Sequence, residues 1–140
     1  MADTIAPDEQ LSRFVLDRNH FTSEHVKFRA FLPPKNQVVL SVSRTRHLED
    51  AEIWALGDQH VASASRRTIQ ARADFGCAVL SEIKADEHCL AAVPDEPPPR
   101  HANVTGWPSI ERKELQKVLA QQLAARTRLT VREVLSRRSI

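Results

Sequence analysis

Arg100, His101 and Asn103 place a guanidinium, an imidazole and a carboxamide within four residues. A histidine so flanked can act as general acid or base near neutral pH. Arg100 would hold an anionic group, and Asn103 would donate to developing charge or orient the imidazole. Asp95 can fix the imidazole tautomer if the intervening chain folds back on itself. A structural reading fits the same residues, with His101 and Asn103 satisfying loop backbone groups and Trp107 plugging the core.

Arg44, Arg46 and His47 form a second set, expected at the end of a strand where side chains converge on sheet-edge clefts. Arginine forks match the geometry of phosphate and carboxylate. Arg72, beside Asp74 on the polar face of another expected strand, can join them. A surface ion-pair network explains these residues equally well, each pair being worth under about 1 kcal/mol. His20 and His25 flank Phe21 and read either as a two-histidine site or as exposed loop residues. Cys77, His88, Cys89 and His101 lack the paired spacing of a structural zinc site, so no metal is expected. The chain has no Gly-rich phosphate loop, GxSxG elbow, HExxH or paired CxxC, and no tyrosine. No cofactor is expected.

The elements that must position these groups follow from periodicity. Leu11, Phe14 and Val15 recur at helical spacing after Asp8, predicting a helix to about Asp17. Val26, Phe28, Ala30 and Leu32 alternate with polar residues, as do Leu40 and Val42, and Pro33-Pro34-Lys35-Asn36 separates them. That predicts an antiparallel hairpin. A helix is expected over 48–56, with acidic residues at its start and Gly57 as C-cap. Ile69 to Phe75 alternates as a strand, with Asp74 opening a short helix, and Cys89 to Val93 reads as a further strand. Ser109 would cap a long helix whose stripe is Leu115, Val118, Leu119 and Leu123. Thr130 and Glu133 have capping-box spacing for a last short helix.

These elements predict one α+β domain over 1–140: a small antiparallel or mixed sheet of three to four strands with helices packed on one face. A mobile N-terminus is expected over 1–7, a rigid Pro-rich crossover loop over 94–108, and C-terminal helices over 109–138. The 94–108 stretch carries five of the eight prolines, which stiffen it without forming helix or central strand.

Length and composition, with 140 residues, 41% apolar and 27% charged, suit a single globular unit. No apolar run reaches the roughly 18 residues of a membrane span. An acidic start unlike a signal peptide and only two cysteines predict a cytoplasmic protein with reduced thiols. The net charge is +2, but residues 111–140 hold eight Lys/Arg against three Glu. That basic end suits nucleic acid or an acidic partner, and equally a solvated helical face.

The segment from Pro94 to Pro108, with Arg100-His101-Ala102-Asn103 and Gly106-Trp107-Pro108, resembles one shared by uncharacterised small bacterial proteins of similar length. Arg18-Asn19-His20-Phe21, Ala30-Phe31-Leu32-Pro33 and Ala71-Arg72-Ala73-Asp74 extend the resemblance over most of the chain. It implies a bacterial source and no particular activity.

Two functional expectations follow. One is a phosphate-bearing ligand, a nucleotide or RNA, bound in a cleft between Arg44–His47 and Arg100–Asn103. Arg44, Arg46, His47, Arg72 and Arg100 would bind it, and His101, Asn103 and Asp95 would supply metal-independent acid–base chemistry. The alternative is a non-enzymatic accessory subunit that offers the Pro-rich loop and basic C-terminal helices to a protein partner.

Overall fold

A computed structural model describes residues 4–35 and 37–132. Its centre is a six-stranded antiparallel sheet in the order β6-β7-β2-β1-β3-β8. The strands are β1 (Gln10–Val15), β2 (Leu40–Arg44), β3 (Ala71–Gly76), β6 (Ala91–Pro94), β7 (His101–Thr105) and β8 (Arg128–Val131). Two short strands, β4 (Lys84–Ala85) and β5 (His88–Cys89), pair separately. The α+β class is as expected, but the sheet has six strands rather than three to four.

Helix was expected where β1 lies, and burial on two sides explains the difference. Leu11 and Val15 enter the main core with Leu40, Val42, Ala73 and Phe75. Phe14 points to the opposite face, into a smaller core with Ile53 and Ile69. A strand covered on both faces places apolar residues at 11, 14 and 15, which mimics helical spacing.

The expected strand over 25–32 is also absent. Thr22 Oγ1 accepts the backbone N–H groups of Glu24 and His25 at 3.1 and 3.0 Å. Such local side-chain bonds compete with extended pairing. The chain then forms a 3₁₀ turn, Phe28–Phe31, which buries Ala30 and Phe31. Strand β2 therefore pairs with β1 and β7, and no hairpin joins it to 25–32.

The Pro-rich stretch is a hairpin connection instead of a crossover. Pro94 lies opposite Ala102 and Val93 opposite Asn103, so residues 101–105 are strand β7. The peptide bonds Glu96-Pro97 and Pro97-Pro98 are both cis.

Helices cover both faces, not one. Helix α3 (Lys113–Ala125) packs on the main core through the fully buried Leu119, Ala120 and Leu123. Its buried stripe is 116, 119, 120 and 123, which leaves Val118 39% exposed. Ser109 does not cap it: Arg112 N–H bonds Ser109 O at 2.9 Å in a turn before the helix begins. Thr130 lies in β8 opposite Arg72, which removes the expected helix start there. The remainder of that expected helix, from 133, is outside the described residues.

Helix α1 (Asp50–Gly57) lies against the other face, its start closed by a capping box between Glu49 and Glu52. Gly57 does not end it. The helix runs on through a π segment, Asp58–Ala62, into α2 (Ser63–Ser65). Glycine is needed at 57 for close approach: an added Cβ would meet Ile69 Cδ1 at 2.5 Å and Phe14 Cε1 at 2.7 Å. The short 3₁₀ helix Cys77–Glu82 begins after Gly76, with Asp74 inside β3. Among the described residues, no helix is long and apolar enough to cross a membrane.

Gly57→Ala should overpack the smaller core and cost about 1–3 kcal/mol. A urea melt shows this as a lower midpoint with unchanged slope. An unchanged midpoint would mean that helix and sheet separate without penalty.

Candidate functional site

Two neighbouring turns build the site. At the end of β2, Leu48 N–H bonds Thr45 O at 3.1 Å, and His47 occupies the third turn position with φ 66°. In the β6–β7 connection, His101 N–H bonds Pro98 O at 3.1 Å, and Arg100 holds the same position with φ 67°. A left-handed residue at that turn position is normally glycine, and in the second turn Pro99 precedes it. Each non-glycine residue there costs on the order of 1–2 kcal/mol, and such conformations concentrate at functional sites. Arg44 N–H bonds Arg100 O at 2.7 Å, which brings the two turns side by side.

Between them lies a cleft of about 450 Å³ lined by Glu9, Arg44, Arg46, His47, Glu96 and Arg100. Four of the residues singled out from the sequence, Arg44, Arg46, His47 and Arg100, thus meet in one place. Glu9 and Glu96 were not foreseen. Glu9 fell within the expected helix, and only strand pairing carries it to Arg44.

The cations of the cleft have different duties. Arg44 grips Glu9 with both prongs of its fork, Nε to Oε2 at 2.5 Å and Nη2 to Oε1 at 3.0 Å. Both side chains are largely buried, and the bond from Arg44 holds the Glu9 carboxyl below the usual carboxylate range despite desolvation. Arg100 Nη1 donates to Arg44 O at 3.0 Å, and its backbone N–H donates to Glu96 Oε2 at 3.1 Å. Arg46 pairs with Asp8 at 3.2 Å, but this pair is 38% and 74% exposed, so it is weak and easily exchanged. Arg44 and Arg100 therefore frame the cleft, while Arg46 and His47 can turn toward a ligand.

His101, Asn103 and Asp95 form a separate cluster. His101 and Asn103 lie opposite Ser43 and Ser41 in the sheet, on the face away from the main core. The connection does fold back: His101 Nδ1 donates to Asp95 O at 2.8 Å and lies 3.3 Å from Asp95 Oδ2. Asn103 Nδ2 donates to the same carboxylate oxygen at 3.0 Å. With Nδ1 committed to a carbonyl, the neutral ring presents Nε2 as its acceptor. None of the three lines the arginine cleft, because adjacent strand residues point to opposite faces.

Arg72 is not part of the cleft either, which corrects its expected role as an anion clamp. It is buried on β3, where Nε donates to Asp74 Oδ2 at 3.0 Å and Nη2 to Asp50 Oδ1 at 2.6 Å. Its guanidinium stacks on Trp54 at 4.7 Å. Among the described residues, Nη1 finds no hydrogen-bond acceptor. The paired histidines also separate in role: His20 Nε2 lies 3.6 Å from Asp17, and His25 Nδ1 lies 3.3 Å from Thr22 Oγ1. Among the described residues, no group of three His, Cys, Asp or Glu side chains could hold a metal ion.

A pH dependence follows from Glu9. Its folded pKa is lowered from 4.5, so its stabilisation is present above that value and lost as pH falls through the folded pKa. Glu9→Gln should therefore lower the urea midpoint at pH 7, and the gap to the wild type should close toward pH 3. A gap of equal size at both pH values would show that the Arg44 pair adds nothing. No protein-family model matches the chain, and comparisons with curated proteins and with solved structures found no match.

Proposed function

We propose that this protein binds a phosphate-bearing anion, a nucleotide or an RNA phosphate, in the cleft between the two turns. The supporting observation is the meeting of Arg44, Arg46, His47 and Arg100 around about 450 Å³, a volume typical of small-ligand sites. Arg46 would present its fork to the phosphate oxygens once Asp8 is displaced, and the His47 imidazole would donate beside it. Glu9 keeps Arg44 engaged, so the frame does not collapse into an empty cleft. Binding without bond cleavage is the favoured form of this reading, since His101 lies on the other side of the strand.

Calorimetric titration with adenosine monophosphate in EDTA tests it. Arg46→Gln should weaken binding about tenfold or more, the loss of one charge-assisted hydrogen bond. His101→Ala should leave it unchanged. Absence of binding, or equal affinity in Arg46→Gln, would overturn the reading.

One observation favours the accessory-subunit alternative through a different surface. A groove of about 520 Å³ runs between the Phe28–Pro34 segment and the start of α3. Phe28, Leu32, Pro33 and Ile110 give it an apolar floor, and Lys35, Lys113 and Lys117 outnumber Glu114 in a net basic rim. Lys117 Nζ lies 5.3 Å from the Phe28 ring centre. Apolar floor and basic rim together fit an acidic amphipathic peptide. A labelled synthetic peptide of alternating Leu and Glu helical faces should bind, and Lys117→Glu should weaken it severalfold. Equal binding of a Leu/Lys peptide would exclude this partner chemistry.

A further inference from the structure

At the far end of β1 from the cleft, where the chain leaves the sheet, lies a small cavity of about 110 Å³. Arg13, Arg29, Arg67, His20 and Asp17 are the charged or titratable groups in its wall. Three guanidinium groups thus face a single carboxylate. That carboxylate is already engaged, since Asp17 Oδ1 accepts the Asn19 N–H at 2.8 Å and Oδ2 lies 3.6 Å from His20 Nε2.

Among the described residues the arginines donate hydrogen bonds to neutral acceptors, and Arg67 also acts through its charge on Asp17, lowering that carboxyl's pKa. Arg13 donates Nε to Ala30 O and Nη1 to Ser41 O, both at 2.9 Å. Arg67 Nη2 donates to Leu16 O at 3.3 Å. Arg29 lies 5.9 Å from the Phe28 ring centre. Among the described residues, no ion pair includes any of the three. Three cations converging on one carboxylate leave an excess of positive charge, and like charges so placed repel one another. An anion between them reverses the sign of that energy.

We propose that this cavity binds a single tetrahedral oxyanion of the phosphate type, held by Arg13, Arg29, Arg67 and His20. Its volume accepts one such ion with a few waters and excludes a nucleoside. The site is therefore distinct from the larger cleft in both position and ligand size. Two further facts agree with a cavity that carries excess positive charge. Burial pushes the Arg13 pKa down to about 10. Burial also lowers the His20 pKa, and Arg29, Arg13 and Arg67 each lower it further against the pull of Asp17.

Inorganic phosphate is the probe, and His20 is the local reporter. Proton NMR of the imidazole in chloride buffer should give a titration midpoint that rises when phosphate is added, because the bound anion favours the charged ring. Arg67→Gln and Arg29→Gln replace exposed residues and should raise the phosphate concentration needed for half that shift about tenfold or more. Arg67→Lys should recover part of the loss. Arg46→Gln, in the cleft, should leave the His20 response intact. A His20 midpoint indifferent to tens of millimolar phosphate overturns the proposal, and so does a response unaltered in Arg67→Gln and Arg29→Gln. Loss of the response in Arg46→Gln also overturns it while leaving the cleft reading standing. A preserved His20 response with no nucleotide binding to the cleft would instead remove the cleft reading alone.

Discussion

The rest of the structure depends on a buried polar tie centred on Asp74. Its two oxygens receive Arg72 Nε at 3.0 Å and Ser12 Oγ at 2.5 Å. Ser12 Oγ lies 2.8 Å from Thr45 Oγ1, which also accepts Gln10 Nε2 at 2.9 Å. Arg72 continues the chain to Asp50 and the Trp54 ring on α1. One network thus joins β1, β3, the end of β2 and the covering helix. Removing one member of a buried charge pair leaves the other uncompensated, at a typical cost of 3–5 kcal/mol. The surroundings of Arg72 make this constraint sharper, because among the described residues its Nη1 already lacks an acceptor.

Thr45 connects that network to the cleft. It is 1% exposed, its N–H bonds Gln10 O at 3.0 Å, and its carbonyl closes the turn that carries Arg46 and His47. The turn therefore rests on the sheet interior, and the left-handed His47 is held by a rigid base. Arg100 plays the same part on the other wall, spending Nη1 on the carbonyl of Arg44. The surface charges are the variable layer over this frame. Arg132 belongs to the frame as well: it grips both oxygens of Asp58 at 2.7 Å and stacks on Trp54 at 5.2 Å. Trp54 is thereby flanked by two guanidinium groups, an arrangement worth more when it is desolvated.

Residue chemistry read along the chain located part of the cleft. Arg44, Arg46 and His47 are consecutive or nearly so at a strand end, and that placement needs no tertiary knowledge. Arg100 could be nominated because the prolines before it announce a turn. Arg72 could not be sorted from these, since an arginine on a strand looks the same whether its head meets solvent or a buried carboxylate. The cationic cavity was illegible for a related reason. Arg13, Arg29, Arg67 and His20 lie on four separate segments, and none of the three arginines belongs to a motif of its own.

The pattern of apolar and polar residues by itself determined the α+β class, the strand character of 71–75 and the helical character of 50–56 and 113–125. Strand β3 is buried on both faces, but its second face carries the polar Arg72 and Asp74, so the alternation survives. Strand at 91–93 was expected too, but it lies on the sheet edge with Val93 44% exposed. Tertiary structure decided β1, the loss of the expected hairpin and the place of the Pro-rich turn. The physical reason is shared. Strand β1 is buried on both sides, so its apolar residues follow no single period. Residues 25–32 alternate, yet local bonds to Thr22 and packing under α3 outweigh strand pairing. Strand β7 follows three prolines and a left-handed arginine, and only its partners β2 and β6 make it extended. Which cations converge was settled by the same long-range pairing, and with it the positions of both proposed sites.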